Sequence, residues 1–524
     1  MGMHILRTAR TLAAVSTIIA LFIGTASAQV QRGGELRLAG AQAPDTLDIH
    51  VALGVVPGNK DTMYDSLIRM WVDPVTEQVT LEPELATSWE VDTAAGTVTM
   101  QLRQDVTFHD GTRFDAAAAK WNLDRLRSDP LSQAQQLLAA IQEIEAVDEF
   151  TIRITTTGAS NDLLFQLSSY ANNAGMICPE RFEALGATAF GREGCGTGPF
   201  RAVEFIADDR IRLERFDNHW RMGSDGQPLP YLDGMTYYVR PDVSLAMLQL
   251  RAGELEFVMN PDAREFALVD RDPNLVWLGT PAIIRQPFVL PLNMREGPFA
   301  DARIREAAIR AIDRQLVAQT FSFGTGQPFD YYLTFEGAEG FAPAQWPDLS
   351  PNQERARQLV AEAGGADVEL LVIGREPDVT LAELIKSMWD TVGIRTSIRA
   401  LERLAWIEAM RADDYQASMH GQTFDPQIDA LWSRSIVTGA PGNWGNYSNP
   451  LIDDLVQRAQ GTIDPTERFE IYAEAGRILY EDHAFVPLYN LQQPFVIRSN
   501  VELGPISSSG AGRYFTFVDT WIRR

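Results

Sequence analysis

The chain is short of cysteine, histidine, positive charge and long apolar runs, and each shortage closes off a class of function. Its 524 residues include two cysteines and six histidines, and the histidines (His4, His50, His109, His219, His420 and His483) are scattered, with no pair at a ligand-like interval. That argues against zinc, and no cofactor is expected. Acidic side chains outnumber basic ones 70 to 45, a formal net charge of −25. Such a surface repels a phosphate backbone, so nucleic acid is a poor partner, and the acidity reads as a solvated face that keeps the protein dispersed. The most concentrated apolar run, Leu12–Ile23, falls well short of the roughly twenty residues that span a bilayer. Catalytic signatures are missing too: there is no G-x-S-x-G turn, no H-E-x-x-H helix and no lysine-bearing phosphate loop.

What is present at the N-terminus is an export signal, residues 1–28. His4, Arg7 and Arg10 precede the apolar run, and Ala26-Ser27-Ala28 offers the small residues a signal peptidase needs before Gln29. The two arginines are separated rather than twinned and no cysteine lies near the junction, so the expectation is Sec-type export to the periplasm without a lipid anchor. Export favours oxidation, and Cys178 and Cys195 are therefore expected to form a disulfide. With 45% hydrophobic and 22% charged residues, the remainder is an ordinary globular chain too long for one core, which predicts two or three domains.

Periodicity supplies the elements. Glu35–Leu38 reads as a strand; Val98, Met100 and Leu102 alternate with polar residues, as do Ile152 and Ile154. Between them Ala116, Ala119, Leu123 and Leu126 recur at helical spacing behind a capping Asp115. Val243, Ala246, Met247 and Leu250 mark a second helix that Gly253 can end, with Leu255–Val258 resuming as a strand. Later, the apolar strand Val368–Ile373, a helix face of Leu381, Ile385, Met388 and Val392, a stop at Gly393 and the alternation Ile394, Thr396, Ile398 have the spacing of a parallel crossover unit. The fold class is α/β with two lobes, without short repeats or low-complexity tracts.

Six segments carry a resemblance: LATSWEVD (Leu85–Asp92), DVTFHDGTRFDA (Asp105–Ala116), GTGPF (Gly196–Phe200), FADARIREAAIRAIDR (Phe299–Arg314), NWGNYSNPLIDDL (Asn443–Leu455) and YEDHAFVPLY (Tyr480–Tyr489). In this order and spacing the chain resembles the family 5 extracellular solute-binding proteins, which include dipeptide, oligopeptide, nickel, haem and opine binders. Most of the motifs read as structural. Asp110-Gly111 suits a tight turn, GTGPF a sharp reversal into a strand, and Ile304, Ala308, Ile312 and Leu316 one buried helix stripe that leaves Arg303, Arg305, Glu306 and Arg310 outside it.

The resemblance implies a two-lobe periplasmic binding protein fold with an extra subdomain in the first lobe. The first lobe would comprise 29–72, 196–282 and 494–524, including a strand at Tyr514–Val518; the subdomain 73–195; the second lobe 283–493. Two crossings, near Ile283–Leu290 and Leu491–Phe495, would form a hinge. It implies a monomer that binds a small polar solute, with short peptides leading and an oligosaccharide or opine as runner-up, and passes it to the membrane permease of an ABC importer. A periplasmic hydrolase and an adaptor for a membrane sensor are the rival classes. Its ligand residues would be Trp406, Gln422, Phe424, Asp425, Asn443, Trp444 and Tyr447 on the second lobe's cleft wall, with Asn293 and Tyr331 beside them. Peptide-binding relatives anchor the peptide's amine on the first carboxylate of a Gly-Asp-x-x-Asp-Pro type segment. Here His420–Pro426 puts the uncharged Gln422 at that position, and Asp425 is either its substitute or a turn residue before Pro426.

Overall fold

The computed structural model describes residues 30–524 except 43, 53–61, 73–78, 93–94, 133, 136–137, 158–162, 170–172, 262–264, 279–285, 322–326, 331–339, 422–427, 441, 463, 492–494 and 505–516. The signal segment, Tyr331, Gln422, Phe424, Asp425, most of the Tyr514–Val518 segment and the middle of each crossing therefore lie outside the described residues.

Three separate stretches of chain build one seven-stranded sheet. Its order is Leu275–Leu278, Phe495–Arg498, Phe257–Met259, Glu35–Gly40, Gly234–Val239, Arg210–Arg215, Phe200–Ile206. Glu35–Gly40 is central and parallel to both of its neighbours, so Leu36 and Leu38 are fully buried. The helix Val243–Ala252 makes the crossover between those neighbours. Asp242 caps it by accepting the Leu245 N–H, and Gly253, at φ 77°, closes it in the left-handed conformation that a side chain resists.

Packed beside this sheet is a four-stranded antiparallel one, in the order Ala86–Asp92, Thr97–Leu102, Thr151–Thr156, Ile141–Asp148. The helix Ala116–Ser128 covers it with Ala116, Ala119, Leu123 and Leu126 buried, and Asp115 accepts the Ala118 N–H as its cap. The expected disulfide joins Cys178 to Cys195 across the helix Pro179–Glu193, with Cα atoms 5.4 Å apart. Closing a loop of 17 residues is worth about 3 kcal/mol in chain entropy. Replacing both cysteines by serine should lower unfolding stability by that order in a denaturant titration; an unchanged midpoint would show that the bridge is dispensable.

The GTGPF segment bends at 197–199 and enters the strand Phe200–Ile206, as expected, but its glycines also serve a close backbone contact. A Cβ on Gly196 would lie 2.2 Å from the Met63 carbonyl oxygen, and one on Gly198 would lie 2.5 Å from the Met63 carbonyl carbon. These glycines are there because two backbones touch: Gly198 N–H donates to Met63 O, and Phe200 N–H to Thr62 O.

The second lobe holds a parallel sheet in the order Ile394–Leu401, Ala366–Ile373, Ala417–Ser418, with the helix Glu376–Thr391 as the crossover. An antiparallel sheet adjoins it, in the order Gln327–Pro328, Phe485–Leu491, Gln286–Pro291, His420–Gly421. One large apolar core, with the fully buried Trp389 donating its indole N–H to Ala308 O, knits the two together. The stripe read from Ile304 to Leu316 is two helices, Ala302–Ala311 and Arg314–Phe321. Ile312 leaves the helix and Asp313 starts the next by accepting the Leu316 N–H, which turns Leu316 outward to 43% exposure.

Candidate solute cleft

The chain leaves the first sheet after Leu278 and enters the second lobe at Gln286; it returns from Leu491 to Phe495. Strand pairing shows which end of each sheet these crossings occupy. In the first sheet Leu278 and Met259 both sit opposite Phe495, and Gly40 sits opposite Val239. The crossings therefore leave from the end where the parallel strands terminate. In the second lobe Gln286 pairs with Leu491, and His420–Gly421, continuing from Ala417–Ser418, runs toward that same end beside Val289 and Phe288. Both sheets thus present the carboxyl ends of their parallel strands to the two crossings. In open α/β sheets the crevice outside those ends is where ligands bind, because the loops there are free to carry recognition groups.

Several described side chains mark this end of the second lobe. Phe288 and Tyr489 stack with ring centroids 5.0 Å apart and planes 9° apart. Burial pushes the Tyr489 phenol well above its ordinary range, and Asp378 adds to the shift while Arg375 opposes it. Arg375 follows the carboxyl end of Ala366–Ile373 and immediately precedes the helix Glu376–Thr391, without a side-chain capping bond. Its Nε donates to Asp378 Oδ2 at 2.6 Å, yet its side chain is 62% exposed whereas that of Asp378 is 11% exposed. One edge of the guanidinium is held while the other is presented to solvent, the geometry of a fork for a planar anion. The motif reading passed over Arg375; its position directly after an apolar parallel strand is the signal that points to it.

Five of the nine expected ligand residues, Asn293, Trp406, Asn443, Trp444 and Tyr447, are described, and Trp406 and Trp444 pack against one cluster of Leu371, Ala409, Met410 and Tyr415. Trp406, on the helix Arg403–Arg411, donates its indole N–H to Ser418 Oγ at 3.1 Å, and Ser418 Oγ donates to Leu371 O, so its polar atom is spent inside the sheet. Asn293, Asn443, Trp444 and Tyr447 are together, but at the opposite end of the lobe, where the parallel strands begin. The register requires this: Asn293 N–H donates to Gln416 O, ahead of Ala417–Ser418, and Met294 N–H donates to Gly445 O. Asn443 is a structural brace, its amide donating to the carbonyls of Ile436, Val437 and Tyr447 while its oxygen accepts the Tyr447 N–H.

Comparison with known proteins agrees with this architecture. The model for bacterial extracellular solute-binding proteins, family 5 (middle), matches residues 80–443. The glutathione-binding protein GsiB of Escherichia coli O1:K1 is 27% identical over 431 residues, 79% of this chain and 81% of GsiB. Among solved structures, NikA from Brucella suis in complex with Fe(III)-EDTA superimposes with a TM-score of 0.81 at 21% identity, covering 94% of this chain and all of NikA. The dipeptide-binding protein from Pseudoalteromonas sp. SM9913 in complex with Met-Leu does so with a TM-score of 0.75 at 20% identity, again over 94% and 100% of the two chains. With the family model spanning more than half of its length, the chain belongs to the family 5 bacterial extracellular solute-binding proteins.

Proposed function

We propose that this protein captures a short peptide in the periplasm, between its two lobes, and delivers it to the membrane permease of an ABC importer. The observation that carries the reading is that both sheets turn the carboxyl ends of their parallel strands toward the same pair of crossings. A solute held there touches both lobes, so its binding energy favours the closed arrangement that a permease can distinguish from the open one. The peptide class draws on three supports: the glutathione binding named for GsiB, the Met-Leu complex of the dipeptide-binding protein, and the exposed fork of Arg375, suited to a terminal carboxylate. Asp425, on the segment leaving Gly421, is the candidate partner for the peptide's amine, and Gln422 and Phe424 flank it. The protein acts by binding and release, a reading supported by the binding roles named for its relatives.

A thermal-shift screen of di- to tetrapeptides, glutathione, opines and oligosaccharides tests this directly, since a bound solute raises the unfolding temperature by mass action. Peptides should stabilise the protein most; stabilisation by sugars or opines alone would replace the peptide assignment. With the identified peptide, Arg375→Ala should weaken calorimetric affinity about ten- to a hundred-fold, the loss of one charge-assisted contact of roughly 1.4–3 kcal/mol. Wild-type affinity in that variant would remove Arg375 from the site.

A further inference from the structure

The opposite end of the second lobe carries a cavity of about 1040 Å³. One wall is a closed polar network. Arg295 donates to Asp413 Oδ2 at 2.8 Å and to Asn446 Oδ1 at 2.5 Å; Asn446 donates to Asp413 Oδ1 at 3.1 Å; Asn293 donates to the Tyr415 carbonyl at 3.1 Å. Asp413 and Asn446 hold φ values of 56° and 51°, a conformation that non-glycine residues adopt at a cost and that persists where surrounding contacts over-determine it. Tyr415 is 5% exposed, and its buried hydroxyl has no hydrogen-bond partner among the described residues.

The charge in this cavity is out of keeping with the rest of the chain. Three arginines and two aspartates line it, in a protein of net charge −25. Both carboxylates are already engaged: Asp413 by Arg295 and Asn446, and Asp482 by the Tyr447 hydroxyl at 2.6 Å and Asn449 at 2.9 Å. Arg305 spends its guanidinium on the main-chain carbonyls of Asp482, Phe299 and Ala300, and the nearby Asp482 and Asp301 carboxylates offset its charge. Arg411 has no ion-pair or hydrogen-bond partner among the described residues, and it shares the lining with Trp444. The cavity therefore combines a spare guanidinium with an indole, at the amino ends of the strands, away from the crossings. We propose that it is an accessory binding site for a small organic carboxylate, separate from the solute cleft, with Arg411 as the principal anchor and Trp444 as the flat surface beside it.

Isothermal titration of the whole protein with citrate, succinate and glutamate, at fixed ionic strength, tests the site, with inorganic phosphate and chloride as comparators. At least one carboxylate should saturate at one site per chain. Arg411→Glu should weaken it at least ten-fold, whereas Arg375→Ala should leave it unchanged. Arg411 is exposed and bonded to no described side chain, so its replacement should leave the circular dichroism and unfolding midpoint as they are; Trp444→Phe gives a second, milder variant expected to weaken the same carboxylate. Failure of every carboxylate to saturate up to about 10 mM, well past the range of a specific site, would overturn the proposal. So would loss of binding in Arg375→Ala rather than Arg411→Glu, since that places the anion in the cleft. An equal response to phosphate or chloride would likewise overturn it, as charge screening without recognition. Peptide affinity untouched by Arg411→Glu supports two separate sites and keeps this test distinct from that of the cleft.

Discussion

Replacing Arg125 by leucine should destabilise the protein by about 3–5 kcal/mol, the cost of leaving a buried charge without its partner. Arg125, on the helix Ala116–Ser128, grips Asp48 with both terminal nitrogens, at 2.9 and 2.6 Å, and also donates to His50 Nδ1 at 2.9 Å. All three residues are buried. Because His50 Nδ1 accepts from an arginine, its proton sits on Nε2, which donates to Gly175 O. The cluster thus ties the chain that follows the central strand Glu35–Gly40 to the helix Ala116–Ser128 and to the run ahead of Cys178. With leucine at 125, Asp48 loses its only contacting cation among the described residues, and its carboxylate must protonate, recruit water or pull the segment apart. Denaturant unfolding of Arg125→Leu against the parent measures the effect. The double variant Asp48→Leu with Arg125→Leu should recover part of the loss, because the penalty belongs to the orphaned charge. A loss below about 1 kcal/mol in the single variant would mean the pair behaves as a solvated surface bridge.

Acid should weaken the fold well before its carboxylates titrate. His50 is fully buried and His109 part-buried, and each is pushed down to about 4 from an ordinary 6.5. Desolvation is the largest cause for both. Arg125 adds to it at His50, where Asp48 and the Gly175 carbonyl oppose; at His109 the Gly198 carbonyl and Asp65 oppose. A group whose folded pKa is depressed takes up its proton later in the folded state than in the unfolded one. Between pH 6.5 and 4 the unfolded chain therefore binds more protons, and stability falls as pH falls through that window. Each histidine contributes a slope of up to about 1.4 kcal/mol per pH unit, or roughly 3 kcal/mol across the window. The contribution is complete above pH 6.5 and exhausted near pH 4. Asp65, whose pKa is lowered with help from His219 and Trp220, adds its own loss only below the ordinary carboxylate value of 3.8. Denaturant titrations at half-unit steps from pH 7.5 to 4.5 should trace this decline, and His109→Gln should flatten it. A stability that stays level to pH 4.5 would show that neither histidine is held neutral by the fold.

Most of the local architecture was legible because it depends on neighbours in sequence. Asp115 caps its helix by accepting an N–H three residues on, and Gly253 stops its helix through its own φ. The alternation at Val98, Met100 and Leu102 reports one buried sheet face, as periodicity of two must. The shortfalls arose where a distant backbone decides. Helical spacing from Ile304 to Leu316 survives in sequence although Asp313 restarts the helix, and nothing near Gly196 or Gly198 adds to the bend there the pressure of Met63. The site was harder for the same reason. Motif segments such as NWGNYSNP mark residues that fix the fold, and Asn443 spends its amide doing so. Which end of a sheet faces the crossings is a property of strand pairing over hundreds of residues. Arg375 becomes a candidate only after that pairing is known.

The central claim is that a solute bound between the carboxyl ends of the two sheets draws the lobes together. Small-angle X-ray scattering of the protein alone, and then saturated with the peptide that shifts its unfolding temperature most, measures this most directly. The account predicts a smaller radius of gyration and a shorter maximum dimension on saturation, with neither change in a variant that no longer binds the peptide. Identical scattering with and without a peptide whose binding is verified by calorimetry, from a free protein as extended as the open form, would contradict it.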